Sequence, residues 1–248
     1  MILSALLAAS LASAQAEPAP KLGIPQEVFK CELDKGVESS VCRALAAQKA
    51  GRWADAAAEF EGAAAGLKPD DPQASRLLAA AGNMWIAAGQ PGKAAAALDR
   101  ALAGKGLFAE QVGEALLDRA RAAEAQGDLK TARAKLKLAV ETISADPFYW
   151  YFSAALAVRE EDVPTAKLAI ARALTLAPND PTILFEAGHV ASLAGEEAKA
   201  RDYWTRAAAA DPNGPSGSAA KRALGLSPVP LTVSGTPTPA PTDPASER

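Results

Sequence analysis

The chain has 248 residues, of which 49% are hydrophobic but only 5% aromatic, and its formal net charge is −3. So few large side chains make a single thick core difficult to fill, and the lack of a basic excess argues against an obligate nucleic-acid partner. Much of the hydrophobic fraction is alanine, the best helix former, which favours thin layers of closely packed helices.

Residues 1–16 (MILSALLAASLASAQA) form an uncharged, apolar run that ends in small residues. Such a run with an Ala-x-Ala ending is typical of a cleaved secretory signal and is too short to span a bilayer. We therefore expect cleavage near Ala14 or Ala16 and a periplasmic or secreted mature chain with no stable membrane insertion. The run lacks the usual basic start, so an N-terminal anchor and a mis-assigned start codon are the alternatives.

Residues 17–36 are expected to form an extended lead-in. This segment contains Cys31, and Cys42 is the only other cysteine of the chain. In an oxidising compartment, a disulfide between the two would tie the lead-in to the first helix and stabilise the fold by about 2–4 kcal/mol. Their spacing is not that of a redox-active Cys-x-x-Cys pair. The alternative is two thiols that do not bond to each other.

The clearest internal repeat lies within residues 147–214. Two alanines and a proline recur there after 34 residues, so that Ala166, Ala173 and Pro178 correspond to Ala200, Ala207 and Pro212. Nearer the N-terminus, Gly51, Gly89 and Gly127 recur with a spacing of 38 residues. A glycine at the end of a helical run is typical of a C-cap, where the chain turns through a left-handed conformation.

The order of a large apolar residue, a small one, a turn, two alanines and a proline resembles the tetratricopeptide repeat (TPR) family, in an exported bacterial type. The resemblance implies an all-α fold: a right-handed α-solenoid of about five helical hairpins with a C-terminal capping helix. The expected solenoid covers residues 37–225, with units at 37–72, 75–108, 113–146, 147–180 and 181–214 and a cap at 216–225. Its expected helices cover 39–50, 53–66, 73–88, 91–103, 108–126, 129–145, 147–160, 163–176, 181–194, 197–210 and 216–225. Residues 227–248 contain six prolines and four threonines and are expected to form a disordered tail.

The sequence offers little for catalysis. His189 is the only histidine, and there is no phosphate-binding loop, nucleophile elbow or His-Glu-x-x-His motif. We therefore expect a non-enzymatic protein with no catalytic residues, no cofactor and no metal site.

Five consecutive aromatic residues, 148–152, are the most unusual feature of the expected solenoid. Consecutive residues fan around a helix, so these rings cannot all be buried. Trp150 matches the core position of the family, whereas Phe148 and Tyr151 fall on positions that line its concave face. Either the rings fill space between hairpins three and four, or they form a ligand-facing patch.

The resemblance also implies which residues line the concave groove, because the first helix of each unit supplies them. These are Asn83 and Ala87 in unit two, Leu117, Arg121 and Glu124 in unit three, Tyr151, Ala155 and Arg159 in unit four, and Phe185, His189 and Ser192 in unit five. Such a groove could hold an extended peptide, with arginines on carboxylates or carbonyls and aromatic rings on apolar side chains.

We therefore expect a protein–protein interaction scaffold that binds a protein or peptide in the periplasm. Two alternatives stay open: an accessory module for a small molecule or glycan, and a structural repeat protein that associates with itself. Fold alone does not decide among them.

Overall fold

The computed structural model of the protein describes residues 36–68 and 70–225. The predictions for the signal at 1–16, for the lead-in up to residue 35, for Cys31 and for the tail at 227–248 fall outside the described residues.

Within the described residues the chain forms eleven α-helices and no strand. They are α1 (Val37–Lys49), α2 (Trp53–Ala65), α3 (Pro72–Ala87), α4 (Pro91–Ala103), α5 (Ala109–Ala125), α6 (Leu129–Ile143), α7 (Pro147–Arg159), α8 (Val163–Leu176), α9 (Pro181–Leu193), α10 (Glu197–Ala210) and α11 (Pro215–Ala223). Each helix begins and ends within two residues of the helix predicted for it. Consecutive helices pair into five hairpins, and α11 packs on the last of them.

Asp-Pro pairs start three of these helices. The side chains of Asp71, Asp146 and Asp180 each accept a hydrogen bond of 2.8–2.9 Å from a backbone N–H of the first helical turn. The proline that follows takes the first helical position, where its missing N–H leaves no partner unsatisfied. Local sequence therefore fixes where α3, α7 and α9 begin.

The turn inside each hairpin depends on one residue in the left-handed region. Gly51, Gly89, Gly127 and Gly195 take this role in four hairpins, with φ between 67° and 81°. In the fourth hairpin the position belongs to Glu161, with φ 60°. In every case the next residue donates its N–H to the carbonyl five residues earlier, which closes the C-terminus of the first helix.

The two helices of a hairpin cross at a small residue. Gly82 of α3 lies against Leu98 of α4, and Gly188 of α9 lies against Trp204 of α10, so closely that a Cβ would overlap the facing side chain. Ala120 is fully buried at the equivalent place in α5. Small residues here let the helices approach, as the repeat pattern predicts.

The hairpins stack so that their first helices form the inner layer. Contacts that skip a helix join α3 with α5 and α7 with α9, which are first helices of successive hairpins. The layer in which hairpins approach most closely lies on the inside of a curved stack. We call the exposed surface of α3, α5, α7 and α9 the inner face.

The stack is not uniform along its length. Among the described helices, the backbones of α6 and α7 approach each other at fewer positions than those of any other consecutive pair. Alanines dominate the contact of α2 with α3, whereas aromatic residues of α7 fill the space beside α6. Large side chains therefore separate the backbones between hairpins three and four. None of the described helices is both long and apolar enough to cross a membrane.

Candidate functional site

A series of side-chain contacts crosses the inner face from α3 to α7. Asn83 Nδ2 donates to Asp118 Oδ2 at 2.7 Å, and Arg121 Nη1 donates to Oδ1 of the same carboxylate at 2.8 Å. The Arg121 guanidinium also lies over the ring of Phe148, 5.4 Å from its centroid. Two predicted groove residues, Asn83 and Arg121, are thus joined through Asp118.

The series continues from α7 to α9. The rings of Phe148 and Tyr151 pack together with their centroids 5.4 Å apart. Burial raises the pKa of Tyr151, and the nearby carboxylate of Glu186 on α9 raises it further. Oε2 of Glu186 lies 3.8 Å from Nδ1 of His189, and this carboxylate raises the pKa of His189. Tyr151 and His189, both predicted for the groove, therefore face the same buried carboxylate.

A second contact joins α5 to α7 at their C-terminal ends. Arg159 forms an ion pair with Glu124 and donates to the backbone carbonyl of Glu124 at 3.3 Å. Arg121 is likewise held by a carboxylate of its own helix. Both predicted groove arginines therefore have partners within the chain already.

Carboxylates are crowded at one end of the inner face. Burial raises the pKa of Glu114 to about 7, with further contributions from the carboxylates of Glu110, Asp118 and Asp146. Burial also raises the pKa of Asp146. Within the described part of the chain, neither Glu110 nor Glu114 forms an ion pair. This end of the face, which we call the acidic end, therefore carries excess negative charge.

The aromatic run of α7 divides between the core and the inner face. Tyr149 and Phe152 are 5% and 8% exposed and pack between hairpins three and four. Trp150, predicted for the core, is only partly buried, and its indole N–H donates to the carbonyl at the end of α6 at 2.8 Å. Phe148 and Tyr151 lie on the inner face. Space-filling therefore accounts for Tyr149 and Phe152, whereas Phe148 and Tyr151 are partly buried and pack against the same cluster.

Comparison with known proteins finds one partial family match and several structures of similar fold. The model of the tetratricopeptide repeat family matches residues 86–148. No curated protein matches the sequence. Solved TPR-type structures superpose on most of the chain. The chain therefore resembles tetratricopeptide repeat proteins in residues 86–148 and in its fold.

Three solved structures illustrate the likeness. PilW, described as a widely conserved type IV pilus biogenesis factor, is 18% identical with a TM-score of 0.61, and the match covers 74% of this chain and 82% of PilW. YrrB, described as a TPR protein with an unusual peptide-binding site, is 18% identical with a TM-score of 0.55, covering 77% and 93%. MamA is 15% identical with a TM-score of 0.56, covering 78% and 98%. At these identities the likeness concerns the fold, and it confirms the all-α TPR solenoid.

Not every predicted groove position lies on the surface of the protein. Leu117 is only 4% exposed, because it belongs to the cluster against which Phe148 and Tyr151 pack. Phe185 is partly buried on α9, and its carbonyl accepts a hydrogen bond from Trp204 Nε1 at 3.2 Å. The prediction for Leu117 was wrong, since the neighbouring rings cover it.

The TPR pattern also missed the carboxylates of the inner face. Glu114 and Asp118 are four residues apart on α5, and Glu186 precedes His189 by three, so each pair shares one side of its helix. This spacing is the signal that could have placed them together. In the segments 36–68 and 70–225, no group of three or more Cys, His, Asp or Glu residues is arranged to hold a metal ion.

Proposed function

We propose that the protein is an exported, non-enzymatic scaffold that binds an extended, basic segment of a partner protein along its inner face. The observation that carries this proposal is the strip of contacts from Asn83 to His189, which includes two aromatic rings, together with the acidic end, where Glu110 and Glu114 form no ion pair. Aromatic rings offer apolar contact area, and crowded carboxylates favour a cation.

The internal pairing of the arginines supports a basic partner rather than an acidic one. Arg121 and Arg159 already bind Asp118 and Glu124, so an incoming carboxylate would have to displace a carboxylate of the chain. A lysine or arginine of the partner would instead relieve repulsion at the acidic end. The likeness to YrrB, a TPR protein described as having a peptide-binding site, supports peptide binding as the class of function.

Binding of defined peptides tests the proposal. We would measure fluorescence anisotropy with short unstructured peptides that share apolar residues but carry lysine and arginine, or glutamate, at the remaining positions. We expect the basic peptides to bind and the acidic ones not to bind. Their affinity should fall as salt rises, because exposed charges are screened. Preferential binding of the acidic peptides would contradict the proposal.

Substitutions on the inner face provide the matched controls. Tyr151→Ala and the double variant Glu110→Gln, Glu114→Gln should each weaken the basic peptides by about tenfold, which corresponds to about 1.4 kcal/mol. Leu168→Ala should leave binding unchanged, because Leu168 is 76% exposed on α8, a second helix. Equal effects of all three variants would place the binding site elsewhere.

Export is tested separately, with a reporter. Residues 1–36 fused to a phosphatase that is active only when its disulfides form should give activity outside the cytoplasm. Mass spectrometry of the secreted chain should find Gln15 or Glu17 at its N-terminus. An inactive fusion would exclude export while leaving the peptide-binding proposal standing.

A further inference from the structure

A half-buried carboxylate of α5 receives hydrogen bonds from two helices. Asp118, nine residues before the left-handed Gly127, accepts from Asn83 of α3 at 2.7 Å and from Arg121 of its own helix at 2.8 Å. Asn83 and Arg121 each lie six residues before the left-handed glycine of their own hairpin, Gly89 and Gly127. Such partners offset the cost of removing a charge from water. Hairpins two and three therefore show which donors a carboxylate at this position of the stack takes.

The equivalent carboxylate of α9 has only one of these two partners. Glu186 precedes the left-handed Gly195 by nine residues, and its Oε2 lies 3.8 Å from Nδ1 of His189 on the same helix. On α7, the position six residues before Glu161 is Ala155, whose methyl side chain offers no donor. Within the described part of the chain, α7 makes no hydrogen bond or ion pair to Glu186. An alanine therefore stands where hairpin two supplies an amide.

Glu186 lies deep in the inner face but is not sealed from it. The residue is only 8% exposed. Among the described residues, however, the indole nitrogen of Trp85 is the only fully buried side-chain nitrogen or oxygen without a hydrogen-bond partner, so the Glu186 oxygens still reach water. Tyr151 of α7 lies near enough for this carboxylate to raise its pKa, after the larger effect of burial. A carboxylate beside a ring and a small residue suits a side chain with a long apolar stem and a cationic head.

We propose that Glu186 binds one lysine or arginine side chain of the partner, in the place that Asn83 fills beside Asp118. The inference rests on the proposed function, because it names where one cation of the basic segment lies. The cationic head donates to the Glu186 carboxylate, and the apolar stem packs along the ring of Tyr151. Ala155 determines specificity by leaving this place open. Glu110 and Glu114 lie on a different helix, so they contact other residues of the same segment.

His189 is the only histidine of the chain, and it therefore reports on this site directly. Its hydrogen bond to Glu186 is the main cause of its raised pKa. A partner cation that binds Glu186 should therefore lower the pKa of His189. We would follow the imidazole Cε1 proton by NMR in the full chain, without a histidine tag, during titration with the short basic peptide. We expect its resonance to shift on binding and its titration midpoint to move to lower pH.

Two substitutions separate this site from the rest of the inner face. Glu186→Gln removes the charge, and Ala155→Asn places an amide beside Glu186, as in hairpins two and three. Each should weaken the basic peptide by about tenfold or more, and in neither should the peptide move the titration midpoint of His189. The matched control is Glu141→Gln, which removes a carboxylate exposed on α6 and should leave both the affinity and the response of His189 unchanged.

The outcomes distinguish this inference from the proposed function. If the basic peptide binds by anisotropy but the His189 resonance does not respond, the cation lies elsewhere and the inference is overturned, while the proposed function stands. Native affinity in both Glu186→Gln and Ala155→Asn would overturn it in the same way. If no basic peptide binds to the native chain, the proposed function fails and this inference fails with it.

Discussion

Glu161 occupies a backbone conformation that four other hairpins reserve for glycine. Its φ of 60° brings Cβ close to the following carbonyl, at a cost of about 1–2 kcal/mol for a residue other than glycine. Glycine avoids this strain but loses about 0.5–1 kcal/mol of conformational entropy on folding. We therefore expect Glu161→Gly to raise the free energy of unfolding by about 0.5–1 kcal/mol, measured by urea denaturation.

The matched control is the reverse change in a neighbouring hairpin. Gly127 has φ 81° and open space around its Cα, so Gly127→Glu should destabilise through the backbone alone. If Glu161→Gly also lowers the free energy of unfolding, then strain from the left-handed φ does not limit the stability of this turn.

Glu114 should make the stability of the fold depend on pH. Its pKa of about 7 in the fold lies above the unfolded value near 4.5, so the folded state binds the extra proton between these two pH values. Stability should therefore fall as pH rises from about 4.5 through 7, and stay at the lower level above that. Burial is the main cause of the raised pKa, and repulsion from the carboxylates of Glu110, Asp118 and Asp146 adds to it.

Glu114→Gln should remove this pH dependence. At pH 8 we expect the variant to be about 1 kcal/mol more stable than the native chain, a figure discounted because Glu114 is only partly buried and water screens it. At pH 4 the two proteins should unfold at the same urea concentration. A variant equally stabilised at both pH values would show that ionisation of Glu114 is not the cause.

At the scale of the helices, some glycines are required for close packing and others are not. A Cβ at Gly188 of α9 would overlap the indole of Trp204, and overpacking of this kind costs about 1–3 kcal/mol. Gly62 is exposed within α2 and has no atom near its missing Cβ. Alanine favours a helix over glycine by about 0.8–1 kcal/mol. We expect Gly188→Ala to destabilise and Gly62→Ala to stabilise, as read from thermal unfolding.

The sequence predicted the helices well because their ends are marked locally. Glycines with left-handed φ and Asp-Pro pairs set these boundaries without help from distant residues. The inner face was harder to predict. Leu117 occupies a groove position by spacing, but the rings of α7 cover it, and Asp118 meets Asn83 only because α3 and α5 approach closely. Contacts between hairpins depend on the sizes of several side chains at once, which the repeat period does not encode.

At the scale of the whole molecule, the junction between hairpins three and four should divide the stack. In a solenoid, stability is the sum of the hairpins and of the interfaces between neighbours. The backbones of α6 and α7 approach each other at fewer positions than those of any other described consecutive pair, and Tyr149, which donates to the carbonyl of Leu136 at 3.3 Å, lies between them. We therefore expect α1–α6 and α7–α11 to open as separate units in native-state hydrogen exchange.

Two core truncations test this division. Tyr149→Ala removes a buried ring at the junction, at a cost of about 3 kcal/mol, and should speed exchange in α7 to α11 while leaving α1 to α4 unchanged. Phe60→Ala removes a buried ring from hairpin one and should have the opposite effect. Equal acceleration in every helix, in both variants, would mean that the stack opens as one cooperative body. The loss of protection should instead stop at the junction, because the backbones of α6 and α7 approach each other at few positions.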